Sequence, residues 1–150
     1  MESILTDILS NRVLIAALLG WLIAQILKTI IHGFVEHEWK LERMVGSGGM
    51  PSSHAATVCA LTTSSILHFG LGSFEFAISL ILTAVVLHDA RGVRLETGKQ
   101  AKSIMAIMEI LKKNGANGLP EEDLKELIGH TPFQVVMGSI LGIVIAILVG

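Results

Sequence analysis

The sequence predicts an all-α integral membrane bundle of about four spanning helices, with short amphipathic helices on the cytoplasmic side. Half of the 150 residues are hydrophobic (51%) and 16% are charged, whereas about 25% are charged in soluble proteins. Four apolar segments are long enough, or nearly so, to cross a bilayer. Most of the charged residues lie in two long connections between them. At this length we expect a single domain over residues 1–150.

The four apolar segments are residues 13–31, 55–71, 74–87 and 132–149. The first is interrupted only by Gln25 and Lys28, and at ~1.5 Å per residue it just spans a hydrocarbon core of ~30 Å. Because no small-residue cleavage pattern precedes Lys28, we expect this helix to be retained rather than removed as a signal peptide. The third segment is short, so we expect it to be tilted or shielded by its neighbours.

The basic residues are distributed unevenly. Nine of the 11 lysines and arginines lie in the connections 31–53 and 88–131. Four spans place both connections on one side of the membrane, and the positive-inside rule assigns that side to the cytoplasm. We therefore expect an integral protein of the bacterial plasma membrane whose chemical groups face the cytoplasm.

Two further helices are predicted within the second connection. Residues 98–113 repeat apolar side chains at helical spacing, and residues 114–118 contain the Gly and Asn typical of a turn. Residues 120–129 begin with proline and three acidic residues and end at a glycine, which indicates a short helix. These are the predicted amphipathic cytoplasmic helices.

The motif GGMPSSH, at residues 48–54, directly precedes the second apolar segment. Glycine such as Gly49 lets the backbone approach an anion closely, and its proline suits the first helical position. The N–H groups of a first helical turn lack helical partners and carry the positive end of the dipole. Ser52 and Ser53 add hydroxyls, and His54 would lie beside the anion. The motif predicts a phosphate cradle; the alternative is an N-capped helix with an interfacial histidine.

A second histidine, His130, also stands at the start of a predicted span, where Thr131 can cap the helix and Pro132 can begin it. Hydrolysis of a phosphomonoester needs a nucleophile in line with the leaving oxygen and an acid that protonates this oxygen. His130 can attack and His54 can protonate.

The same reaction needs cations that neutralise the phosphate oxygens. Lys28, Arg43 and Arg94 can supply this charge, the arginines through bidentate contacts. Two of them also have a simpler interpretation. Lys28 could only extend its ammonium to the headgroups, and Arg43 could be one more cytoplasmic anchor.

Four sequence blocks carry a family resemblance: QxxK at 25–28, GGMPSSHAA at 48–56, DARGVR at 89–94 with GKQA at 98–101, and GHTPFQVVMG at 129–138. In this order they resemble the divergent branch of the type 2 phosphatidic-acid phosphatases, which are membrane relatives of bacterial acid phosphatases and vanadium haloperoxidases. The resemblance covers nearly the whole chain.

The resemblance implies a role for each matching residue. Lys28 and Arg43 would bind phosphate, as would the serine of the second motif, Ser52. His54 would be the general acid. Ser53 stands where the parent family has glycine, so it adds a hydroxyl to the pocket.

In the third motif of the parent family an arginine is followed by a nucleophilic histidine and then by an aspartate. Here Arg94 and His130 would take the first two roles, with 35 residues inserted between them. Gln134 occupies the aspartate's place; it can accept the Nδ1–H hydrogen bond of a histidine but adds no negative charge. Asp89 is the candidate to supply that charge, because a carboxylate at the end of a membrane helix is costly unless paired or functional. The alternative for Asp89 is a structural pair with a neighbouring arginine.

We therefore expect a phosphatase that acts on a lipid phosphate or isoprenyl diphosphate in the cytoplasmic leaflet, through a phosphohistidine and without a metal or cofactor. The alternative is a non-catalytic protein that binds or moves phosphorylated lipids. A metal site built from His54, His88, Asp89 and His130 would leave the lysine and the arginines unexplained.

The remaining features limit the partners. Cys59 is the single cysteine, so the sequence excludes an internal disulfide and a cysteine-based zinc site. No basic run with interleaved aromatic residues suggests nucleic acid. Gly138 and Gly142, four residues apart, indicate a helix-packing face. Four spans are few for such a catalytic bundle, and a homodimer or re-entrant helices would complete its shell.

Overall fold

The computed structural model describes residues 2–37, 49–91, 93–115 and 131–149. Those residues form six α-helices and no strand, which confirms the all-α prediction. The helices are α1 (Glu2–Ser10), α2 (Arg12–Glu36), α3 (Ser53–Phe69), α4 (Phe74–Arg91), α5 (Val93–Lys113) and α6 (Pro132–Val149).

Helix α2 begins and ends at clear signals. The side chain of Asn11 caps it by accepting a hydrogen bond from the N–H of Leu14 at 3.0 Å. It ends at His37, whose φ of 54° is left-handed. At its first residue, Arg12 donates from Nη1 to the carbonyl oxygen of Val149 at 3.1 Å. This bond joins the start of α2 to the end of α6, so these two helices are antiparallel.

Helix α3 lies at the centre of the described bundle, in contact with α2, α4 and α6. Near its middle, Ala60 packs with Ala16 of α2 and Ala146 of α6. At its start, Ala55 packs with Ala90 of α4 and Val135 of α6. Consequently α3 runs parallel to α6 and antiparallel to α2 and α4.

Small residues face inward and large apolar residues face outward. Nine of the buried apolar residues are alanines, whereas side chains such as Phe34, Phe74 and Leu148 are 69–79% exposed. Exposure of so many large apolar side chains is unfavourable in water. Small residues at helix contacts are typical of proteins in lipid. By length and composition, two of the described helices could cross a membrane, at Arg12–Val35 and Pro132–Val149. The predicted number of four spans is therefore not confirmed.

The structure differs from the sequence predictions at several boundaries. Helix α1 was not predicted, although Ile4, Leu5, Ile8 and Leu9 have helical spacing; all four are exposed. Helix α4 extends beyond the predicted residue 87, and α5 begins earlier than predicted, at Val93. The predicted helix at 120–129 lies outside the described residues.

Hydroxyl groups link α3 to α4 in the interior. The hydroxyl of Thr62 donates to the carbonyl oxygen of Ser79 at 2.9 Å, and that of Thr83 donates to the carbonyl oxygen of Val58 at 2.9 Å. The two hydroxyl oxygens are also 2.7 Å apart. Since each hydroxyl has one proton, three contacts share two protons.

We expect Thr62→Val to lower the free energy of unfolding by about 0.6 kcal/mol, and by no more than about 1.7 kcal/mol, the range of interhelical hydrogen bonds in membrane proteins. Chemical unfolding in mixed micelles would measure the change. The control is Thr57→Val, because the hydroxyl of Thr57 bonds within α3, to the carbonyl oxygen of Ser53 at 2.7 Å. Equal losses in the two variants would show that the link between α3 and α4 has no special role.

Candidate functional site

Lys28 is the most deeply placed cation among the described residues. It is 4% exposed, as is Gln25 one turn earlier on the same helix. Its stem lies against Gly49: a Cβ atom on that glycine would be 2.9 Å from Cγ of Lys28 and 3.0 Å from Cδ. Gly49 also has a φ of +81°, which disfavours any other residue. The structure thus brings the lysine of α2 against the glycine-rich motif.

The same motif forms the start of α3. Ser52 is fully buried, and its hydroxyl caps the helix by accepting from the N–H of Ala55 at 3.4 Å. The N-cap of the alternative interpretation is therefore present, while the preceding proline lies outside the helix, contrary to its predicted place as first helical residue. Ser53 is 5% exposed, whereas His54 is exposed. A buried hydroxyl pair and an accessible imidazole thus surround the positive end of the α3 dipole.

The N–H of Ser52 does not face open space. It donates to the carbonyl oxygen of Gln134, in α6, at 3.0 Å. This bond reduces the number of amides in the predicted cradle that can bind an anion, because the N–H of Ser52 is used within the protein. It also fixes the start of α6 beside the start of α3.

Gly138 makes this approach possible. A Cβ atom at this position would overlap the carbonyl oxygen of Ser52 and lie 3.1 Å from the Cβ atom of Ala55. One turn later, a Cβ at Gly142 would overlap the carbonyl oxygen of Ala56. The predicted packing face of α6 is confirmed, and it packs on α3.

Gln134 has a structural role that the sequence analysis missed. Its Oε1 accepts from the N–H of Thr131 at 3.0 Å, and its own N–H donates to Thr131 Oγ1 at 3.4 Å. These reciprocal bonds form a capping box, which the sequence pattern T-x-x-Q signals.

Gln25 is a further residue of interest for which no role was predicted. Its Oε1 is buried and has no hydrogen-bond partner among the residues that the structure describes. A buried acceptor without a donor is costly. The sequence feature that could have drawn attention to Gln25 is its position as a single amide in an apolar run, three residues before Lys28.

Among the remaining predicted site residues, Asp89 is the one whose side chain the structure describes. Asp89 is exposed, and the face of α4 that packs on the bundle carries Leu87 and Ala90 instead. Because His130 is outside the described residues, a contribution of the Asp89 charge to its imidazole stays a prediction. Arg43 and His130 lie outside the described residues. Arg94 belongs to α5, but its side chain is also outside them.

The interpretation as a metal site gains no support from the described part of the chain. Within the four described ranges, no three His, Cys, Asp or Glu side chains come together as metal ligands would. His130 is outside these ranges. His88 is exposed and lines a groove between α4 and α6.

Comparisons with known proteins match these features to one family. The family described as the Divergent PAP2 family matches residues 9–145, a range that includes all four sequence blocks. The chain is also 35% identical to the uncharacterized membrane protein YuiD of Bacillus subtilis (strain 168), over 94% of this chain and 95% of that relative. No solved structure matches the chain.

Proposed function

Because the chain belongs to the Divergent PAP2 family, we propose that it is a metal-independent membrane phosphatase for lipid phosphates or isoprenyl diphosphates. The observation that carries the proposal is the buried Lys28, packed against Gly49 beside the capped start of α3. Ionisable residues inside membrane helices are rare and often belong to functional sites. A helix N-terminus is a common place for a bound anion, and Lys28 lies beside one.

The proposed binding site uses the groups that lie together. Lys28 would neutralise one phosphate oxygen, while the first amides of α3 and the hydroxyls of Ser52 and Ser53 would donate to the others. The hydroxyl of Ser52 accepts a bond as a cap, so its proton remains available for donation. Arg43 and Arg94 would complete the charge.

The proposed reaction uses the two histidines in turn. A ring nitrogen of His130 attacks phosphorus and forms a P–N bond as the bond to the leaving oxygen breaks. His54 gives its proton to that oxygen. Water then attacks phosphorus, His54 takes a proton from the water, and phosphate leaves from His130.

The runner-up function is binding or movement of phosphorylated lipid without hydrolysis. The observation that favours it is the capping box, because it gives Gln134 a structural task where the parent family has a catalytic carboxylate. A binding protein would keep Lys28 and the α3 start but would not release phosphate.

The proposed location is a bacterial plasma membrane, with the site facing the cytoplasm. The support is the uneven distribution of basic residues and the two apolar helices. A homodimer would cover part of the exposed apolar surface of the described helices.

A phosphate-release screen of the purified protein over lipid phosphates, isoprenyl diphosphates and an aryl phosphate tests the function. We expect release from at least one lipid substrate, without sensitivity to a chelator. His54→Ala is the matched control and should lose most activity on alkyl esters. Binding of these lipids without release would favour the runner-up, whereas inhibition by the chelator would favour a metal site.

Gln134→Glu tests whether the missing charge limits the reaction. A carboxylate oxygen can accept the N–H of Thr131 as the amide does, so the capping box should persist. Its negative charge would stabilise a developing imidazolium on His130. We therefore expect a higher kcat at unchanged thermal stability. Gln134→Ala should lower stability by about 1 kcal/mol, the usual contribution of a helix cap. A lower kcat in Gln134→Glu would contradict the assigned role.

A further inference from the structure

Gln25 is a buried polar residue of α2 for which the proposed reaction has no role. Its side chain is 4% exposed, like that of Lys28, and its Oε1 has no hydrogen-bond partner among the residues that the structure describes. A buried acceptor without a donor is costly, and the core of a bilayer contains no water that could replace the donor. The unused oxygen therefore points to a donor that comes from a ligand.

Two contacts place Gln25 at the level of the candidate site. Before it in α2, a Cβ atom at Gly20 would lie 3.0 Å from the carbonyl oxygen of Ala56 in α3. After it, the stem of Lys28 lies against Gly49. Because α2 and α3 are antiparallel, the part of α2 between these two contacts lies beside the start of α3.

Gln25 is also a neighbour of Lys28 on the surface of α2. Residues three apart in a helix have Cβ atoms about 5–6 Å apart, and Gln25 lies about 4.5 Å nearer the middle of this apolar helix. The hydroxyl of Ser64 is another buried group without a partner among the described residues. It lies twelve residues beyond Ser52, about 18 Å along α3, and so does not belong to the site.

The Oε1 of Gln25 adds an acceptor to a site whose other groups are donors. A phosphate group near neutral pH can keep one proton, so it can donate one hydrogen bond while its other oxygens accept. Sulfate has the same shape but carries no proton, and it is acceptor-only, as an ionised carboxylate is. A site built to hydrogen-bond a group of its ligand rejects an analogue that lacks this group.

We propose that Oε1 of Gln25 accepts a hydrogen bond from a protonated oxygen of the bound phosphate group, so that the site takes a singly protonated phosphate and rejects sulfate. The inference rests on the phosphate site of the proposed function and adds to it a residue that determines specificity. Lys28 balances the charge of the ligand, while Gln25 selects its protonation state. Free phosphate and a phosphate ester share this chemistry.

Calorimetric titration of the purified protein tests this selectivity without requiring turnover. The probes are inorganic phosphate and sulfate, and also phenylphosphonate and benzenesulfonate, which stand for an ester and are not hydrolysed. We expect phosphate to bind at least about tenfold more tightly than sulfate, which corresponds to about 1.4 kcal/mol. A preference within the second pair as well would extend the contact from free phosphate to esters. Equal affinities within both pairs would overturn the proposal.

Gln25→Met removes the acceptor and keeps an unbranched side chain of similar length. We expect the ratio of phosphate to sulfate affinity to fall about tenfold. Thermal stability should not fall, because Oε1 has no described partner to lose. A lower stability with an unchanged ratio would show a structural role for Gln25 and would overturn the proposal.

Thr29→Val is the matched control. Thr29 is half-buried one turn later on α2, and its hydroxyl donates to the carbonyl oxygen of Gln25 at 2.9 Å. Its removal changes a polar side chain on the same helix and leaves the Gln25 amide in place, so the ratio of the two affinities should not change. An equal fall of this ratio in Thr29→Val and Gln25→Met would contradict a specific role of the amide.

Phosphate-release assays on the same preparations separate this inference from the proposed function. If the wild-type protein prefers phosphate and Gln25→Met does not, the inference holds even where neither hydrolyses an ester, and the proposed function fails. If the wild-type protein hydrolyses lipid phosphates but binds sulfate as tightly as phosphate, the function holds and the inference fails. Binding of neither anion by the wild-type protein would overturn the inference.

Discussion

Lys28→Met should lower kcat/KM for phosphate release by about one to two orders of magnitude. The substitution removes the ammonium, and charge-assisted contacts contribute about 1.5–3 kcal/mol each. Methionine is an unbranched apolar side chain that can follow the lysine stem along Gly49. The fold should therefore persist while the anion loses its most buried cation. Initial rates and the affinity for vanadate would measure the loss, and Lys28→Arg should restore part of it because the charge returns.

The control for this prediction is Lys102→Met. Lys102 is an exposed lysine on α5, so its removal changes the net charge equally without touching the proposed site. Activity should remain within about twofold, because exposed charges contribute little. If both lysine variants lose activity equally, the loss comes from the change in net charge, and Lys28 makes no specific contact with the phosphate. Full activity of Lys28→Met would remove it from the phosphate site.

Gly138→Ala should destabilise the protein and abolish its activity together. The added methyl group would overlap the carbonyl oxygen of Ser52, so α6 must move away from α3. The bond from the N–H of Ser52 to the carbonyl oxygen of Gln134, 3.0 Å long, would then break. Overpacking of this kind costs about 1–3 kcal/mol. Unfolding in mixed micelles and the rate of phosphate release would report the two effects.

Gly72→Ala is the matched control, because a Cβ atom at Gly72 would have no neighbour within 4 Å. Its φ is not in the left-handed range, so alanine should leave stability unchanged or raise it slightly. If Gly138→Ala proves as stable and as active as Gly72→Ala, the close contact between α3 and α6 does not hold the site together.

Much of the bundle could be predicted because its signals are local. The start of α6 follows from Thr131 and Pro132, a cap followed by a residue with a fixed φ, and the structure has that boundary. Apolar runs likewise predict α2 and α6. The number of spans did not follow as directly. Helix α3, with 17 residues, is shorter than α2 and α6, and α4 carries the charged residues Glu75, Asp89 and Arg91.

The candidate site was less predictable, because its geometry depends on contacts between distant residues. The contact of Lys28 with Gly49 joins residues 21 positions apart. The bond from Ser52 to Gln134 joins residues 82 positions apart. Motif order can suggest such contacts, but it does not show that the N–H of Ser52 is used within the protein. It also does not show which way Asp89 faces, since the side chain's direction is set by the packing of Leu87 and Ala90 on α3 and α6.

Acid-quench trapping of a phosphoenzyme tests the central claim most directly. The protein is mixed with a radiolabelled lipid phosphate and quenched within one turnover, and the acid-labile, base-stable phosphate on the chain is then counted. We predict such phosphate on the wild-type protein and none on His130→Ala. With an aryl phosphate, His54→Ala should still form it, because a good leaving group does not need a general acid. Two results would contradict the account: a wild-type protein that releases phosphate without ever becoming phosphorylated, or a His130→Ala variant that still becomes phosphorylated.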